Sequence, residues 1–382
     1  MANAVTPYRV HLHRRIAEEI PEFELHTILT HAGGDFRWEV ELPESIHAVG
    51  FARSGESTSE SAWGRIPADW RKAGAILDYF AAHDVRAVIL MGYNDATRLR
   101  LLSGCRKRGI KVFIRGDSNI KGDRPGGRLR AWLKRRVLGH VLKRSDLVMP
   151  MGRLGQAFFE KYGADPNDCV WVPYEPDYDR FAAAEPGAVA AFRARHGLAS
   201  DRRYLLFCGR LAEVKRVDLL LDAFGRLAGE RPAWDLLVAG DGPLRQQLQQ
   251  RVTAEAAGRV HWLGFLDVAE LIPAYHAADV LVLPSDYEPW ALVVNEAMAA
   301  GLVVVASDVV GAAYELVQDG RNGRLFKVGD ADALTEALRD VTEASAIERY
   351  RAAVGPALDD WRRKADPLEG VRKALRKVGL VQ

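Results

Sequence analysis

The chain is expected to fold as a two-domain α/β protein built on parallel sheets, and three observations lead there. Its 382 residues exceed a single domain at roughly 100–200 residues each. Beyond residue 200, short β-branched runs alternate with helical periods at close spacing, the pattern of a parallel sheet wrapped by helices. Hydrophobic residues make up 48% and charged residues 27%, enough apolar side chains for two cores, which excludes a disordered, collagen-like or coiled-coil chain.

In the first half, strands are expected at 86–91, 111–115 and 146–149, with helices over 96–107 and 152–162 and a further strand over 169–173. The polar stretch 54–61 is expected to be a loop. Segment 173–186 is rich in Pro, Tyr and Asp and has no helical period, so it makes the best hinge. The boundaries that follow are 1–177 for the first domain, 178–200 for the hinge, 201–355 for the second domain, and 356–382 for a helical segment returning to the first. In the second domain, strands are expected at 204–207, 235–239, 260–263, 280–283 and 303–306. Helices fill 217–228, 244–253, 268–276, 289–300 and 331–343; the first shows Val217, Leu220, Leu221, Phe224 and Leu227 at 3.6-type spacing. Ligands of such a domain gather at the carboxyl ends of the strands, where loops 208–215, 240–243, 284–289 and 307–312 lie.

Net charge is only +2, from 53 Lys/Arg and 51 Asp/Glu, but residues 101–150 hold 14 basic and 3 acidic side chains. That field attracts phosphate, anionic lipid or nucleic acid. Nucleic acid is disfavoured, because the tract from Arg128 to Arg144 has no stacking aromatic beyond Trp132. In that tract Leu129, Trp132, Leu133, Val137 and Val141 share one helical face, expected to pack on the core. The cations are then left as an outer face, either merely solvated or set against the anionic inner face of the plasma membrane. The first thirty residues lack the apolar stretch of a signal peptide, and no run approaches the ~20 residues that span a bilayer. A cytoplasmic protein is expected. Cys105, Cys169 and Cys208 are odd in number, with no ligand partner at metal spacing, so neither structural zinc nor a disulfide framework is expected.

Phe207-Cys208-Gly209-Arg210 and Val214-Lys215-Arg216 put a strand end, a glycine turn and cations at the mouth of a helix. Gly209 lets a ligand approach the backbone while Arg210 and Lys215 converge on a diphosphate; the alternative is a solvated turn with two surface cations. In the stretch from Ser285 to Met298, Pro289 suits a first helical turn, which would leave the amides of Leu292 and Val293 to hold phosphate oxygens. Glu288 stands at that helix mouth. Glu296, seven rises beyond Pro289, would lie about 10–12 Å from Glu288, roughly the separation of the two sugars of a nucleotide sugar. The alternative is a capping Glu and a buried, paired Glu. Gly240-Asp241-Gly242-Pro243 makes a tight turn but lacks the third glycine of a dinucleotide fingerprint, and no P-loop, nucleophile elbow or H-E-x-x-H motif is present.

Taken in order, G-R-x4-K at 209–215, the 240–243 turn, Leu263-Gly264-Phe265, E-x7-E at 288–296 and Asp319-Gly320-x2-Asn322-Gly323 resemble the family 4 retaining glycosyltransferases. The resemblance is close over 205–338 and looser before it. It implies the GT-B fold, two facing Rossmann-like domains with parallel sheets, the donor held mainly by the C-terminal one and the acceptor by the N-terminal one. It also implies Arg210 and Lys215 on the diphosphate, Glu288 on the donor sugar, Glu296 on the ribose, and the backbone of Gly264 and Phe265 near the base. No metal and no cofactor beyond the nucleoside diphosphate sugar itself is expected. Two departures stand out. The opening from Met1 to Arg9 reads as a stunted or truncated first strand, and where many members carry His-Asp this chain has Ile114-Arg115-Gly116-Asp117-Ser118, which leaves Asp117 or Arg115 to serve catalysis. The resemblance implies a glycosyltransferase acting on a glycan, lipid-linked or small hydroxyl acceptor in surface polysaccharide or glycolipid synthesis. The alternative is an inactive nucleotide-sugar-binding protein or subunit.

Overall fold

The computed structural model describes residues 1, 6–31, 41–52, 66–93, 95–124 and 126–382. The expected loop at 54–61 and residues 2–5 of the opening lie outside them. The chain divides into two compact units, one of Met1–Glu175 with Ala365–Gln382 and one of Pro176–Lys364.

In the first unit α1 (Pro7–Glu19) precedes β1 (Thr27–Leu29), β2 (Ala48–Gly50), α2 (Ile66–Ala82), β3 (Ala87–Met91), α3 (Ala96–Lys107), β4 (Lys111–Gly116), α4 (Arg128–Leu142), β5 (Leu147–Pro150) and α5 (Arg153–Lys161). Strands β3, β4 and β5 form a parallel sheet in that order, and β1 pairs with β2 in a separate parallel ladder. At the opening the Met1 amino group donates to the Ile89 carbonyl at 2.9 Å and the Met1 carbonyl accepts from the Met91 amide at 3.4 Å, so Met1 stands beside β3. Residues from Pro7 onward are helical, since buried Leu12 and Ile16 are four apart and Pro7 takes the first helical position, where its missing N–H costs nothing. The strand expected at 169–173 is reduced to one bridge from Cys169 to Val148, with Val170 and Val172 donating to the carbonyls of Val148 and Pro150.

The second unit starts earlier than expected. Segment 178–200 is not a bare linker: it holds α6 (Tyr178–Ala182) and α7 (Ala188–His196), the former capped by Asp177. There follow β6 (Arg203–Cys208), α8 (Val217–Ala228), β7 (Trp234–Ala239), α9 (Arg245–Gln250), β8 (Val260–Gly264), α10 (Val268–Ala277), β9 (Val280–Leu283), α11 (Leu292–Ala299), β10 (Val303–Ser307), α12 (Gly311–Leu316), β11 (Gly323–Phe326), α13 (Ala331–Val341) and α14 (Ala344–Lys364). Helix α14 carries the unit through Lys364, past the boundary expected at 355, and α15 (Pro367–Lys377) belongs to the first unit. Its Gly370 is there because an added Cβ would lie 2.2 Å from the Trp171 carbonyl oxygen.

The six strands run parallel in the order β11-β10-β9-β6-β7-β8. Their sequences explain it: β9 reads VLVL and β10 VVVAS, all buried, the continuous apolar run of strands covered on both faces. Chain direction across the sheet reverses between β6 and β9, and a doubly wound sheet opens its ligand crevice at that reversal, outside the carboxyl ends. The short edge elements β11 and α12 escaped the sequence reading, the one for its polar Arg324, the other for its single turn and a half.

Helix α4 departs most from expectation. It buries Leu138, Val141 and Leu142, and leaves Leu129 76%, Trp132 57% and Leu133 54% exposed. Lys134 sets the rotation: its ammonium donates to Asp123 at 2.5 Å and lies 4.8 Å from the Phe158 ring centroid and 5.3 Å from that of Tyr162. Asp123 also accepts from Lys161 at 2.7 Å and Tyr162 at 2.8 Å. An ion pair so surrounded pins the face that apolar periodicity would have left outside.

Candidate functional site

The site lies in the second unit, at the reversal between β6 and β9. Glycine makes the β6 exit possible. A Cβ on Gly240 would stand 1.9 Å from the Gly209 carbonyl oxygen, and one on Gly242 2.4 Å from that of Leu211, so the loops after β6 and β7 touch backbone to backbone. Gly240 donates in turn to the Gly264 carbonyl at 2.7 Å, and Gly264 itself has φ of 76°. Gly209, Gly264 and the Gly240–Gly242 turn thus form one cluster of strand ends, with Phe265 half-exposed beside it.

From that cluster a 3-10 turn over Glu213–Lys215 brings Lys215 back alongside Gly209. The loop is zipped to the one leaving β9: the Asp286 amide donates to the Val214 carbonyl at 2.9 Å, and Arg216 donates to both Asp286 carboxylate oxygens at 3.1 and 3.2 Å. Lys215 is ion-paired with Glu288, with the lysine 23% and the glutamate 13% exposed. The structure therefore brings together the cation and the carboxylate that the sequence assigned to diphosphate and sugar. Arg210 is exposed on the same loop, and among the described residues no side chain is recorded as pairing with it.

Helix α11 begins three residues later than expected. Pro289 is not its first residue: it lies at a bend after Glu288, which is bridged to Val310, with Gly311 donating to the Glu288 carbonyl at 3.1 Å and Ala312 to that of Trp290 at 2.7 Å. Trp290 is buried against Trp361 of α14, ring centroids 5.6 Å apart. Ala291 then turns through φ 72°, ψ 77° to start the helix, a left-handed conformation that costs an alanine about 1–2 kcal/mol. Leu292 and Val293, not Pro289, are the first helical residues, and their amides have no acceptor within the helix. The separation of Glu288 from Glu296 is accordingly not a purely helical rise. Gly311 was missed by sequence reasoning; nothing about it reads as functional until the Pro289 carbonyl is seen 2.1 Å from where its Cβ would be.

Glu296, 9% exposed, accepts a 2.7 Å hydrogen bond from the Tyr275 hydroxyl. Burial pushes its carboxyl up to about 7, the Tyr275 bond acting in the opposite direction. Its neighbour Asn295 donates to the Tyr178 hydroxyl at 2.9 Å. A carboxyl whose pKa is raised on folding stabilises the folded state below its unfolded pKa, and that contribution is lost as pH rises through the folded value. The ligand-free protein should thus lose on the order of 3 kcal/mol between about pH 4.5 and 7 at this one group. Thermal unfolding at pH 5 and pH 8 checks this: the fall in stability between them should shrink in Glu296→Gln.

In the first unit Asp117 is exposed just past β4. After burial, its charge helps push the Tyr174 hydroxyl up to about 12. Arg115, the other residue expected to serve there, is committed elsewhere: 3% exposed, it donates to the carbonyls of Val172 at 3.0 Å and Pro173 at 2.9 Å and lies 4.8 Å from the Tyr174 ring centroid.

Residues 189–355, which include Gly209, Lys215, Glu288 and Glu296, match the family model of glycosyl transferases group 1. The chain is 33% identical over 313 residues to a GDP-mannose-dependent alpha-(1-6)-phosphatidylinositol monomannoside mannosyltransferase of Mycolicibacterium smegmatis, covering 76% of this chain and 78% of that one. It is also 33% identical over 267 residues to a D-inositol 3-phosphate glycosyltransferase of Geodermatophilus obscurus, covering 65% of this chain and 56% of the relative, so the match spans little more than half of that protein. Among solved structures, Anabaena HepE in complex with UDP and glucose superposes with a TM-score of 0.73 at 18% identity, covering 100% of this chain and 98% of that one. The likeness extends the GT-B fold to the whole chain. The mannosyltransferase match, long on both sides, joined to the strand order and the 189–355 match, shows that the chain belongs to the group 1 glycosyltransferases.

Proposed function

We propose that this protein is a retaining, metal-independent glycosyltransferase that moves a sugar from a nucleoside diphosphate sugar to a hydroxyl of a lipid-linked or glycan acceptor. The pairing of Lys215 with Glu288 at the sheet reversal, beside the first amides of α11, carries the reading. Breaking the anomeric bond leaves negative charge on the departing diphosphate. Lys215, Arg210 and the amides of Leu292 and Val293 are cations and dipoles fixed where that charge develops, the part a metal ion would otherwise play. Lys215 is paired with Glu288; a diphosphate competes for that ammonium, and the carboxylate then accepts from the donor sugar's hydroxyls. Glu296, steadied by Tyr275, accepts from the ribose, with Gly264 and Phe265 beside the base. Asp117 is the remaining candidate of the first unit for the position next to the transferred sugar.

A different base in each relative supports no single donor: HepE was solved with UDP, and the mannosyltransferase is named for GDP-mannose. A thermal-shift panel of UDP-, GDP-, ADP- and dTDP-sugars identifies it, since a ligand bound by the folded state raises apparent stability. The two carboxylates are told apart by calorimetry with the bare nucleoside diphosphate. Glu296→Ala should weaken that binding about tenfold, whereas Glu288→Ala should leave it nearly unchanged and lose transfer; equal losses in both would contradict the division.

A lipid-borne acceptor is supported by the mannosyltransferase relative, named for a phosphatidylinositol monomannoside, and by α4, whose cations and exposed apolar side chains suit peripheral contact with an anionic membrane. Among the described residues no helix is long and apolar enough to cross one. One observation favours the second reading, a nucleotide-sugar-binding protein without turnover: Arg115 is locked to backbone carbonyls where the family commonly has a histidine near the donor sugar. Release of nucleoside diphosphate from the matched donor with a lipid-linked acceptor tests the proposal; tight donor binding without release under any acceptor would establish the binder.

A further inference from the structure

The solvent face of α4 carries two features in succession. In its first half Leu129, Trp132 and Leu133 stand exposed in a row. In its second half a cleft of about 700 Å³ opens at Gly139, walled by Trp132, Arg135, Arg136, His140, Lys143, Arg144 and Tyr162. Helical spacing explains the cleft. Arg135 and Arg136 lie four and three residues before Gly139 and Lys143 four after, so these three, with Arg144 beyond them, line the place where a side chain is missing. The guanidinium of Arg136 lies 5.5 Å from the Trp132 ring centroid, and among the described residues no carboxylate lines the cleft. Arg144, on the wall of the cleft just past the helix, meets the His140 ring at 2.9 Å, and Lys134 of the helix is engaged by Asp123.

We propose that the Gly139 cleft binds the phosphate headgroup of an anionic phospholipid while Leu129, Trp132 and Leu133 enter the acyl boundary beside it. The inference rests on the membrane contact proposed above and gives it a site. A phosphate suits a cleft lined by Arg135, Arg136, Lys143 and Arg144, since a guanidinium can donate two parallel hydrogen bonds to it. The apolar row decides the source: a soluble phosphate would leave three large apolar side chains in water, whereas a lipid headgroup brings its own apolar boundary to the same helix face.

The test uses the full chain and a Gly139→Leu variant, which fills the cleft, keeps every charge, and meets only the Tyr162 carbonyl oxygen at an ordinary 3.6 Å from its Cβ. Co-sedimentation is measured with vesicles of phosphatidylcholine alone and of phosphatidylcholine mixed with phosphatidylglycerol, at low and physiological salt. Wild type should bind the mixed vesicles, more weakly as salt rises, and Gly139→Leu should bind them about tenfold less. Leu129→Ser with Leu133→Ser should lower binding similarly while leaving the cleft intact. Equal binding by Gly139→Leu and wild type would overturn the headgroup site and leave the membrane contact standing. Failure of wild type to bind mixed vesicles would overturn both. Loss of vesicle binding to competing inorganic phosphate at a concentration matched to the lipid phosphate would make the ligand a free anion and overturn the lipid assignment. Donor-dependent diphosphate release, followed with a soluble acceptor, should be the same in all these variants, so the glycosyltransferase reading stands or falls separately.

Discussion

Lys215→Ala is expected to lower turnover by about a hundred- to a thousandfold, the usual consequence of removing one group that stabilises developing negative charge. The expectation is sharpened by the lysine's partner. Lys215 pairs with Glu288, both side chains partly shielded from water, so the variant leaves that carboxylate alone beside the proposed diphosphate site. Charge repulsion then adds to the lost attraction, and donor affinity should fall together with turnover. Folding should change little, because Lys215 sits on a 3-10 turn at the strand end and contributes no core contact. The double variant Lys215→Ala with Glu288→Gln provides the check: neutralising the stranded carboxylate should recover part of the donor affinity but none of the turnover. Wild-type turnover in the single variant would remove Lys215 from the site, and steady-state kinetics with the matched donor decide it.

Gly311→Ala should be the most damaging methyl group that can be added to the second unit away from the ligand itself. Alanine ordinarily favours a helix over glycine by about 1 kcal/mol, and Gly311 opens α12 without a positive φ. Backbone preference would therefore predict stabilisation. The added Cβ, however, would meet the Pro289 carbonyl oxygen at 2.1 Å and the Trp290 Cα at 3.2 Å, and backbone cannot step aside as a side-chain tip can. We expect a loss of about 3 kcal/mol, at the upper end of overpacking costs, and a thermal midpoint lower by several degrees. Since the displaced segment carries Glu288 and precedes the strained Ala291, transfer should fall more steeply than stability. A midpoint equal to wild type would show that the close approach is relaxed in solution.

Much of the second unit was legible along the chain because its strands are covered on both faces. Runs such as VLVL at 280–283 and VVVA at 303–306 are the continuous apolar stretches of strands covered on both faces, and their alternation with helical periods at close spacing points to a parallel sheet. The glycines at 209, 240 and 264 likewise mark strand ends by themselves, and the spacing of Arg210, Lys215, Glu288 and Glu296 carried the family resemblance without coordinates. These are local signals, set by residue type and period. The start of α11 was not local: Pro289 is a good first helical residue by preference, but the hydrogen bonds from Gly311 and Ala312 to the carbonyls on either side of it hold it outside the helix. The same holds for Arg115, whose role could not be separated from that of Asp117 until the carbonyls of Val172 and Pro173 were seen to hold it. In α4 the apolar period named five residues for the core, and of these the tertiary structure buries Val141 while leaving Leu129, Trp132 and Leu133 outside. Periodicity shows which side chains share a face, but which face turns inward depends on what the neighbouring elements offer, here the Asp123 carboxylate and the Phe158 and Tyr162 rings around Lys134.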